Sequence, residues 1–444
     1  MTADSLLRSA VIALVVLGAS AAPAFATTIE RVVSPGGIEA WLVREPAVPL
    51  IAVDFAFVGG AVQDPAGKAG TANLTASLLD DGAGDLDSKA FADRLERKAI
   101  ELGFRADRDN VRGSLRTLSE NRDEAFELLR LSLTAPRFDP SNVELNRAQI
   151  LSSLRRASTS PGDIANKRWW ETAFEGHPYG RPVDGTLESV PTITIADLRA
   201  YTHRVLARQN LKIAVVGDID AETLKPLLDR VFGALPEKPD LTPIENAAPQ
   251  GLGRRIVVKL DVPQAVVDFG GPGIARKDPD FMTAYVVNHI LGGGAFSSRL
   301  YQEVREKRGL AYSVSDSLIW LDHAALFIGG TATRADRTGE ALDLIEKEIH
   351  RLAEAGPTAA ELAEAKNYLN SSFALNLDTS SKIAGLLVQL QLDDLGIDYI
   401  SKRPAMIGAV TLDGARRVAK RLLDSGLLVT VVGKPEGIAS TTAN

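Results

Sequence analysis

The chain has 444 residues, a formal charge of −7 and no cysteine. Its length exceeds one ordinary core and predicts two or three domains. The acidic balance, with dispersed lysines and arginines, argues against a nucleic-acid partner, and the missing cysteines exclude disulfides, thiol nucleophiles and thiolate metal sites.

The N-terminus is typical of a secretory signal peptide. Arg8 precedes an apolar run over residues 10–17, and Ala-Phe-Ala at 24–26 fits a small-x-small cleavage site before Thr27. The run is too short to span a bilayer, so no stable membrane insertion is expected. We predict a signal peptide over 1–26 and a periplasmic mature protein.

The next segment, 27–235, alternates strand-like and helix-like patterns. Strands are predicted over 38–43, 50–57, 112–118 and 211–216, and helices over 70–79, 88–102, 124–133, 140–154 and 195–205. The strand over 50–57, or its equivalent further along, is predicted to offer a backbone edge to an extended peptide.

A proline- and glycine-rich stretch over 236–253 cannot form regular helix or sheet and is predicted as a linker. Beyond it the pattern repeats. Pro140 and Pro357 are 357 − 140 = 217 positions apart, and Gly217 and Gly433 are 433 − 217 = 216 apart. This offset predicts a second homologous half over 254–436, followed by a tail over 437–444.

The predicted fold class is therefore α+β. It consists of two homologous α/β-sandwich halves, each a mixed or antiparallel sheet with helices on one face. Two such halves joined by a linker are expected to form a bilobed clam shell with an interior cleft, and ligand sites concentrate at such domain interfaces.

The second half contains a glycine loop, Gly292, Gly293 and Gly294, between a helical segment over 282–291 and a second helix that ends at Gly309. Ser297 or Ser298 can cap that second helix. Leu300 and Val304 are predicted on its buried side, with Tyr301, Arg305 and Arg308 on the other. A strand follows over 310–314.

A phosphate-binding interpretation of this loop fails. No Gly-Lys-Ser or Gly-Lys-Thr follows the glycines, Ser297 stands where a dinucleotide fingerprint needs its third glycine, and a helix precedes the loop where a strand is required.

Together, residues 67–72, the motif His177-Pro-Tyr-Gly180 and the stretch 291–312 resemble the pitrilysin/insulinase family of zinc peptidases. The resemblance extends to mitochondrial processing peptidases and the related respiratory-chain core subunits. Active members carry H-x-x-E-H on the first helix and a third ligand, a glutamate, on a later helix.

In this chain the resemblance places Asn73 and Ser77 at the histidine positions, Ala76 at the position of the base and Ser153 at the later glutamate. Asparagine and serine cannot replace two imidazoles and a carboxylate around zinc, and alanine cannot accept a proton. We therefore expect no cofactor bound by this chain, with zinc in a partner subunit.

No substitute site is apparent in the sequence. The five histidines have no ligand spacing, and His177 is predicted to shape its turn. A G-x-S-x-G motif is absent, and Asp80, Asp81 and Glu101 are predicted to be solvated charges at helix ends.

The second-half pattern is intact. The resemblance implies that Arg305 and Tyr312 bind the substrate carbonyl and its developing charge at a partner's zinc site, while Gly292, Gly293 and Gly294 line the peptide path. The predicted function is a non-metal-binding subunit of a heterodimeric zinc metallopeptidase, inactive alone, whose partners are a zinc-motif-bearing pitrilysin-like subunit and a peptide substrate. The alternative is a catalytically inert peptide-binding or structural assembly subunit. An autonomous peptidase with a displaced site is the least supported interpretation.

Overall fold

A computed structural model describes residues 28–438. The predicted signal peptide over 1–26 and the tail residues 439–444 lie outside the described residues. The strands are β1 (Ile29–Val33), β2 (Glu39–Arg44), β3 (Leu50–Val58), β4 (Glu101–Ala106), β5 (Asn110–Leu118), β6 (Leu211–Gly217), β7 (Arg255–Lys259), β8 (Gln264–Pro272), β9 (Ala311–Trp320), β10 (Ala325–Arg334) and β11 (Leu428–Gly433). The α-helices are α1 (Thr71–Ala76), α2 (Ser88–Arg97), α3 (Arg122–Thr134), α4 (Pro140–Ala157), α5 (Pro161–Ala173), α6 (Ile195–Val205), α7 (Ala221–Phe232), α8 (Phe281–Asn288), α9 (Thr338–Ala355), α10 (Ala359–Ser371), α11 (Ser380–Leu392), α12 (Tyr399–Gly408) and α13 (Leu412–Leu423).

The strands form two mixed sheets with one shared topology. The first has the order β1-β2-β6-β3-β5-β4, and the second has the order β7-β11-β8-β10-β9. In each sheet one pair is parallel, β2 with β6 and β7 with β11, and the remaining pairs are antiparallel. The second sheet thus repeats the last five strands of the first, which confirms the predicted α+β class.

Local signals account for most element bounds. Thr194 and Asp197 form a capping box at the start of α6, and Thr358 and Glu361 form another at the start of α10. The helix predicted over 88–102 is too long. It ends at Arg97, because Ala99 adopts a φ of 49° and the chain then enters β4.

Each sheet packs its main group of helices on one face. In the first half, Phe55 and Phe57 of β3 lie in a core with Leu128 of α3 and Leu228 of α7. Phe269 of β8 belongs to the corresponding core of the second half. These layers are the predicted sandwiches.

The structure adds a helix exchange between the halves. Helix α5, from the first half, lies on the second sheet, where the fully buried Trp169 packs near Leu326 and Leu428. Its indole Nε1 donates a hydrogen bond to the Leu428 carbonyl at 3.1 Å. Each half therefore completes the other's core.

Helix α11 makes the reciprocal crossing. Leu387 and Val388 pack on Trp41, Val43 and Ala56 of the first sheet. The Gln391 side chain also donates to the Ile213 carbonyl at 2.9 Å. The residues that make these hydrogen bonds are more than 150 positions apart in the chain. No local sequence pattern therefore predicts the crossing.

The His177 motif fastens the two halves at their hairpin turns. Tyr179 is fully buried, and its hydroxyl donates to Asp109 in the β4–β5 turn at 2.7 Å. The same hydroxyl accepts from the backbone N–H of His323 in the β9–β10 turn at 3.0 Å. The ring nitrogen Nδ1 of His177 accepts from the Tyr179 backbone N–H at 3.1 Å, as expected for a residue that shapes this turn.

The predicted peptide edge at β3 is wrong. Strand β3 pairs with both β5 and β6, and its equivalent β8 pairs with both β10 and β11. Since both of their edges are already hydrogen-bonded, neither strand can add a peptide. The strands at the ends of the sheets near the turns are β4 and β9.

The helix exchange predicts cooperative unfolding of both halves. Leu387→Ala leaves a void in the interface between α11 and the first sheet and should lower the free energy of unfolding by about 2–5 kcal/mol. Urea denaturation followed by circular dichroism and tryptophan fluorescence should give one coincident transition, shifted to lower urea in the variant. Leu145→Ala, at a side chain 57% exposed on α4, is the control and should shift it little. Two separate transitions in the parent protein would contradict the interpretation.

Candidate functional site

The helix that corresponds to the zinc motif is present but lacks metal donors. Asn73 and Ser77 lie four positions apart and are both partly exposed, while Ala76 is buried. The Ser77 hydroxyl donates to the Leu74 carbonyl at 3.0 Å. Ser153 lies exposed on α4, which contacts α1.

The start of α1 is held by a buried carboxylate. Asp64 accepts from the backbone N–H groups of Gly70 and Ala72, both at 2.8 Å. Burial raises the pKa of Asp64 to about 7, although these hydrogen bonds and the nearby Arg181 act in the opposite direction. The helix is thus positioned without any metal.

The prediction that Asp80 and Asp81 are solvated charges is wrong. Burial, with a smaller contribution from the charge of Asp81, raises the pKa of Asp80 to about 6. The Asp81 carboxylate accepts from the Asn146 side chain at 3.0 Å and also from the Ser88 hydroxyl. These contacts join α2 and α4 at the end of α1. Glu101 is exposed and pairs with Arg116 across the β4–β5 ladder.

The donor chemistry at this position does not fit zinc. Across residues 28–438, no group of three or more histidine, aspartate or glutamate side chains is arranged to hold a metal ion. An amide, two hydroxyls and a methyl group at 73, 77, 153 and 76 offer neither imidazole nor carboxylate ligands.

The glycine loop is shaped by close packing. A Cβ at Gly292 would meet Asp316 of β9 at 2.8 Å, and one at Gly294 would meet the His289 carbonyl at 2.6 Å. Gly292 and Gly294 are buried and Gly293 is exposed, while the residue with a positive φ, 45°, is Ala295. The glycines are therefore required for packing of the loop.

Wide π-helical turns flank this loop where α-helix was predicted. They span His289–Gly293 and Tyr301–Glu306, and such turns often occur at functional sites. Ser298 accepts from the Tyr301 backbone N–H at 3.4 Å, in agreement with the predicted cap. Leu300 and Val304 are fully buried, as predicted.

Tyr301 is buried, contrary to the prediction that it faces outward with Arg305. Its ring meets Phe296 edge-on at 5.0 Å between centroids, and the Arg305 guanidinium lies 4.8 Å from its centroid. Neighbouring side chains cover Tyr301, which helical spacing alone could not reveal.

Arg305 and Tyr312 lie together, as the sequence predicted. The Arg305 Cζ atom is 5.0 Å from the centroid of the Tyr312 ring. Tyr312 is 83% exposed, and the nearest carboxylate to Arg305 is Glu306, with 3.9 Å between Nε and Oε1. Within the described range 28–438, no hydrogen bond or ion pair links either residue to the first half. The polar groups of this pair are therefore available to a second molecule.

Arg299 anchors the loop and was missed by sequence reasoning. It donates to both carboxylate oxygens of Glu361 at 2.6 and 2.8 Å and to the Gly356 carbonyl at 3.2 Å. Burial favours a higher pKa for Glu361, but the bonds from Arg299 and Thr358 outweigh it and hold that pKa at about 2. The available signal was the repeat of Pro140 at Pro357, because a glutamate, Glu144 or Glu361, follows each proline four positions later.

Two neighbouring cavities lie away from the glycine loop, around Arg108 and Trp170. One of about 470 Å³ borders Leu154 of α4 and Trp170 of α5, and one of about 680 Å³ lies between the halves, lined by Asp109 and Asp322 from opposite sides. Arg108 contacts both cavities and stacks on Trp170, with Cζ 3.5 Å from the ring centroid. The cavity between the halves is thus lined by charged and aromatic side chains, and none of the predicted site residues contributes to it.

Comparisons with known proteins agree with this geometry. The model of insulinase, peptidase family M16, matches residues 42–187, and the model of the M16 inactive domain matches residues 192–369. The chain belongs to the M16 peptidase family. The first match contains all four degenerate zinc positions, and the second contains Arg305 and Tyr312.

Relatives within M16 carry different descriptions. The chain is 27% identical over 419 residues to an uncharacterised zinc protease of Streptomyces coelicolor, covering 91% of this chain and 90% of that protein. It is 28% identical over 335 residues to the non-peptidase homolog YmxG of Helicobacter pylori, covering 75% and 77%. A crystal structure of an M16 inactive domain from Pseudomonas fluorescens superimposes with a TM-score of 0.87 at 27% identity, covering 94% of this chain and 100% of that one. The inactive-domain model, the non-peptidase homolog and the solved inactive domain together support a non-catalytic M16-like protein.

The ion pair under the glycine loop predicts an acid-sensitive loop. The pKa of Glu361 is lowered from 4.5 to about 2, so the stabilisation is complete above pH 4.5 and is lost as the pH falls toward 2. Glu361→Gln should lower the free energy of unfolding at pH 7 by about 1–3 kcal/mol and flatten its pH dependence between pH 4.5 and 2. Urea unfolding at several pH values measures both effects.

The control for this prediction is Glu340→Gln. Glu340 is an exposed glutamate paired with Arg337 at the start of α9. This change should leave the free energy of unfolding nearly unchanged, because exposed ion pairs contribute little to stability. An unchanged acid limb in Glu361→Gln would show that the pair does not hold the loop.

Proposed function

We propose that this chain is the non-metal-binding subunit of a heterodimeric zinc metallopeptidase. Its partner is a pitrilysin-like subunit that carries H-x-x-E-H. This chain supplies half of the peptide chamber and places Arg305 and Tyr312 at the partner's zinc site. It does not cleave peptides alone.

The observation that carries the proposal is the contrast between the two halves. The first half keeps a helix that is held by Asp64 and has no zinc donors, whereas the second half keeps a partly exposed arginine and an exposed tyrosine that are not bonded to the first half. A guanidinium held between the Tyr301 and Tyr312 rings is preorganised, with N–H groups free to donate to an oxygen.

The chemistry of this pair suits a peptide carbonyl. In the partner, zinc would supply the activated water for hydrolysis. Arg305 would donate to the carbonyl oxygen as negative charge develops on it, and the Tyr312 hydroxyl would donate to the same region. Neither group forms or breaks a covalent bond in this role, so both act by electrostatic stabilisation.

The glycine loop supports the position of this pair. Gly293 is the exposed glycine of the three, and it allows a peptide backbone to approach beside Phe296, which is 71% exposed. Strand β9 carries Tyr312 and lies at the end of its sheet, so a peptide could add to its free edge. This assignment replaces the β3 edge.

The proposed compartment is the periplasm. The proposal depends on the N-terminal pattern over 1–26, which is typical of a cleaved secretory signal. Among residues 28–438, no helix has the length and apolar character needed to cross a bilayer.

An inert peptide-binding or assembly subunit is the second candidate. The exposed aromatic side chains Phe296 and Tyr312 flank the glycine loop, and aromatic residues are enriched at the centres of protein interfaces. In that case the same surface would bind a partner or peptide without contributing to hydrolysis.

Mutation of the pair in the assembled complex separates the two functions. We expect Arg305→Ala to lower kcat of the heterodimer by about 100- to 1000-fold, because one donor to the developing oxyanion is lost. Tyr312→Phe, which removes only the hydroxyl, should also lower kcat with a smaller change in KM. Hydrolysis of an internally quenched peptide measures both constants.

The matched control is Arg308→Ala. Arg308 lies on the same segment but is paired with Glu303, so its loss should leave kcat nearly unchanged. Unchanged turnover in both site variants would favour the inert candidate. The purified chain alone should contain no stoichiometric zinc by elemental analysis, and one zinc per chain would overturn the non-metal assignment.

A further inference from the structure

A separate cavity of about 290 Å³ lies in the second half, between α8, α11 and α12. Five aromatic side chains contribute to its wall. The aromatic lining residues are Phe281, Tyr285, Trp320, Phe373 and Tyr399. This volume is near the lower end of those that bind small molecules in proteins.

The guanidinium of Arg276, which lines this cavity, is paired with a carboxylate. The Arg276 Nε atom lies 3.2 Å from Asp393 Oδ2, and the Asp393 side chain is 7% exposed. The other Asp393 oxygen accepts from the Trp320 indole at 3.1 Å and from the Gln389 side chain at 2.8 Å. Both carboxylate oxygens of Asp393 therefore already have partners, and this residue does not call for a cationic ligand.

The lysine at the cavity mouth is also paired. Lys382 is exposed, and its Nζ atom lies 2.8 Å from Asp378 Oδ1. The lining charges contributed by Arg276 and Lys382 are thus each matched by a carboxylate.

Arg403 is the exception. It is 6% exposed, and its Nη1 donates to the Leu369 carbonyl at 2.9 Å. Its Cζ lies 4.2 Å from the Phe373 ring centroid and 5.8 Å from that of Tyr285. Among the described side chains of residues 28–438, no carboxylate lies within ion-pair distance of Arg403.

A buried guanidinium without a counter-ion is costly, since burial removes its hydration and one carbonyl replaces little of it. The aromatic rings offset part of this cost by cation–π contact. An anion would offset the rest. The fork of N–H groups in a guanidinium matches a carboxylate geometrically.

We propose that this cavity binds an organic carboxylate with an aromatic or branched apolar body. The carboxylate pairs with Arg403, and the body lies against the rings of Tyr285, Phe373 and Tyr399. The ligand is either a free acid of roughly ten to twelve non-hydrogen atoms, given the size of the cavity, or the C-terminus of a peptide that ends in such a residue. The site is independent of Arg305 and Tyr312.

Calorimetric titration of the full chain with 3-phenylpropanoate tests the proposal, and the matched neutral probe is 3-phenylpropanamide. We expect the acid to bind with Kd on the order of 0.1–1 mM and the amide to bind at least tenfold more weakly. A second pair, Ala-Ala-Phe with a free or an amidated C-terminus, separates the two sources. Preference for the carboxylate in either pair supports the site, and absence of preference in both overturns it.

Arg403→Gln should abolish the preference for the acid. Lys402→Gln removes one positive charge from the neighbouring position of the same helix, but Lys402 is exposed and paired with Asp398, so binding should be retained. Circular dichroism checks the fold of each variant. If Arg403→Gln does not fold, the comparison of acid with amide on the parent protein still decides the question. Undiminished acid binding in a folded Arg403→Gln variant would overturn the role of Arg403.

Discussion

The exchange of helices α5 and α11 is the constraint on which the rest of the structure depends. Trp169 of α5 and Leu387 of α11 are each fully buried against the sheet of the opposite half. Burial of a large apolar side chain contributes about 1.5–3 kcal/mol, so the exchanged faces make a large share of the net stability. The Tyr179 hydroxyl adds a polar connection between the two hairpin turns. The cleft and its cavities are consequences of this fixed arrangement.

A rigid scaffold explains how one site could lose its chemistry without loss of the fold. In α1, Leu74 and Ala76 pack inward and Asp64 caps the first turn, so the helix needs no metal to form. Histidine, glutamate and serine differ little in their demands at partly exposed helix positions such as Asn73 and Ser77. Helix α1 is therefore held in place by contacts that involve no metal ligand.

In the second half, close packing and an ion pair constrain the loop that precedes the proposed site residues. Gly292 and Gly294 have no room for a side chain, and Arg299 is joined to Glu361 by two short hydrogen bonds. These interactions place Arg305 against the Tyr301 ring. A loop so constrained holds its arginine and tyrosine in a defined geometry, which suits recognition of another molecule better than a purely structural role. Arg403, in the cavity between α8, α11 and α12, is a buried positive charge with no carboxylate of the described residues 28–438 within ion-pair distance.

Local and periodic features were determined by the sequence itself. The duplicated halves, the irregular stretch over 236–253, the cap at Ser298, the buried Leu300 and Val304, and the missing zinc donors all depend on residues close together in the chain or on a repeated offset. Arg305 and Tyr312 are seven positions apart, so their proximity was also predictable.

Only the tertiary structure decided the remaining features, because they join residues far apart in sequence. The environment of Asp81, for example, depends on Asn146 of α4, which lies 146 − 81 = 65 positions later in the chain. Strand β3 has no free edge because β6 returns from near the end of the first half to pair with it, and β8 has none because β11 does the same in the second half. Helices α5 and α11 also cross between the halves through contacts between distant residues. In the same way, Tyr285 lies against Arg403 although the two are 403 − 285 = 118 positions apart. No pattern of spacing along the chain specifies these contacts.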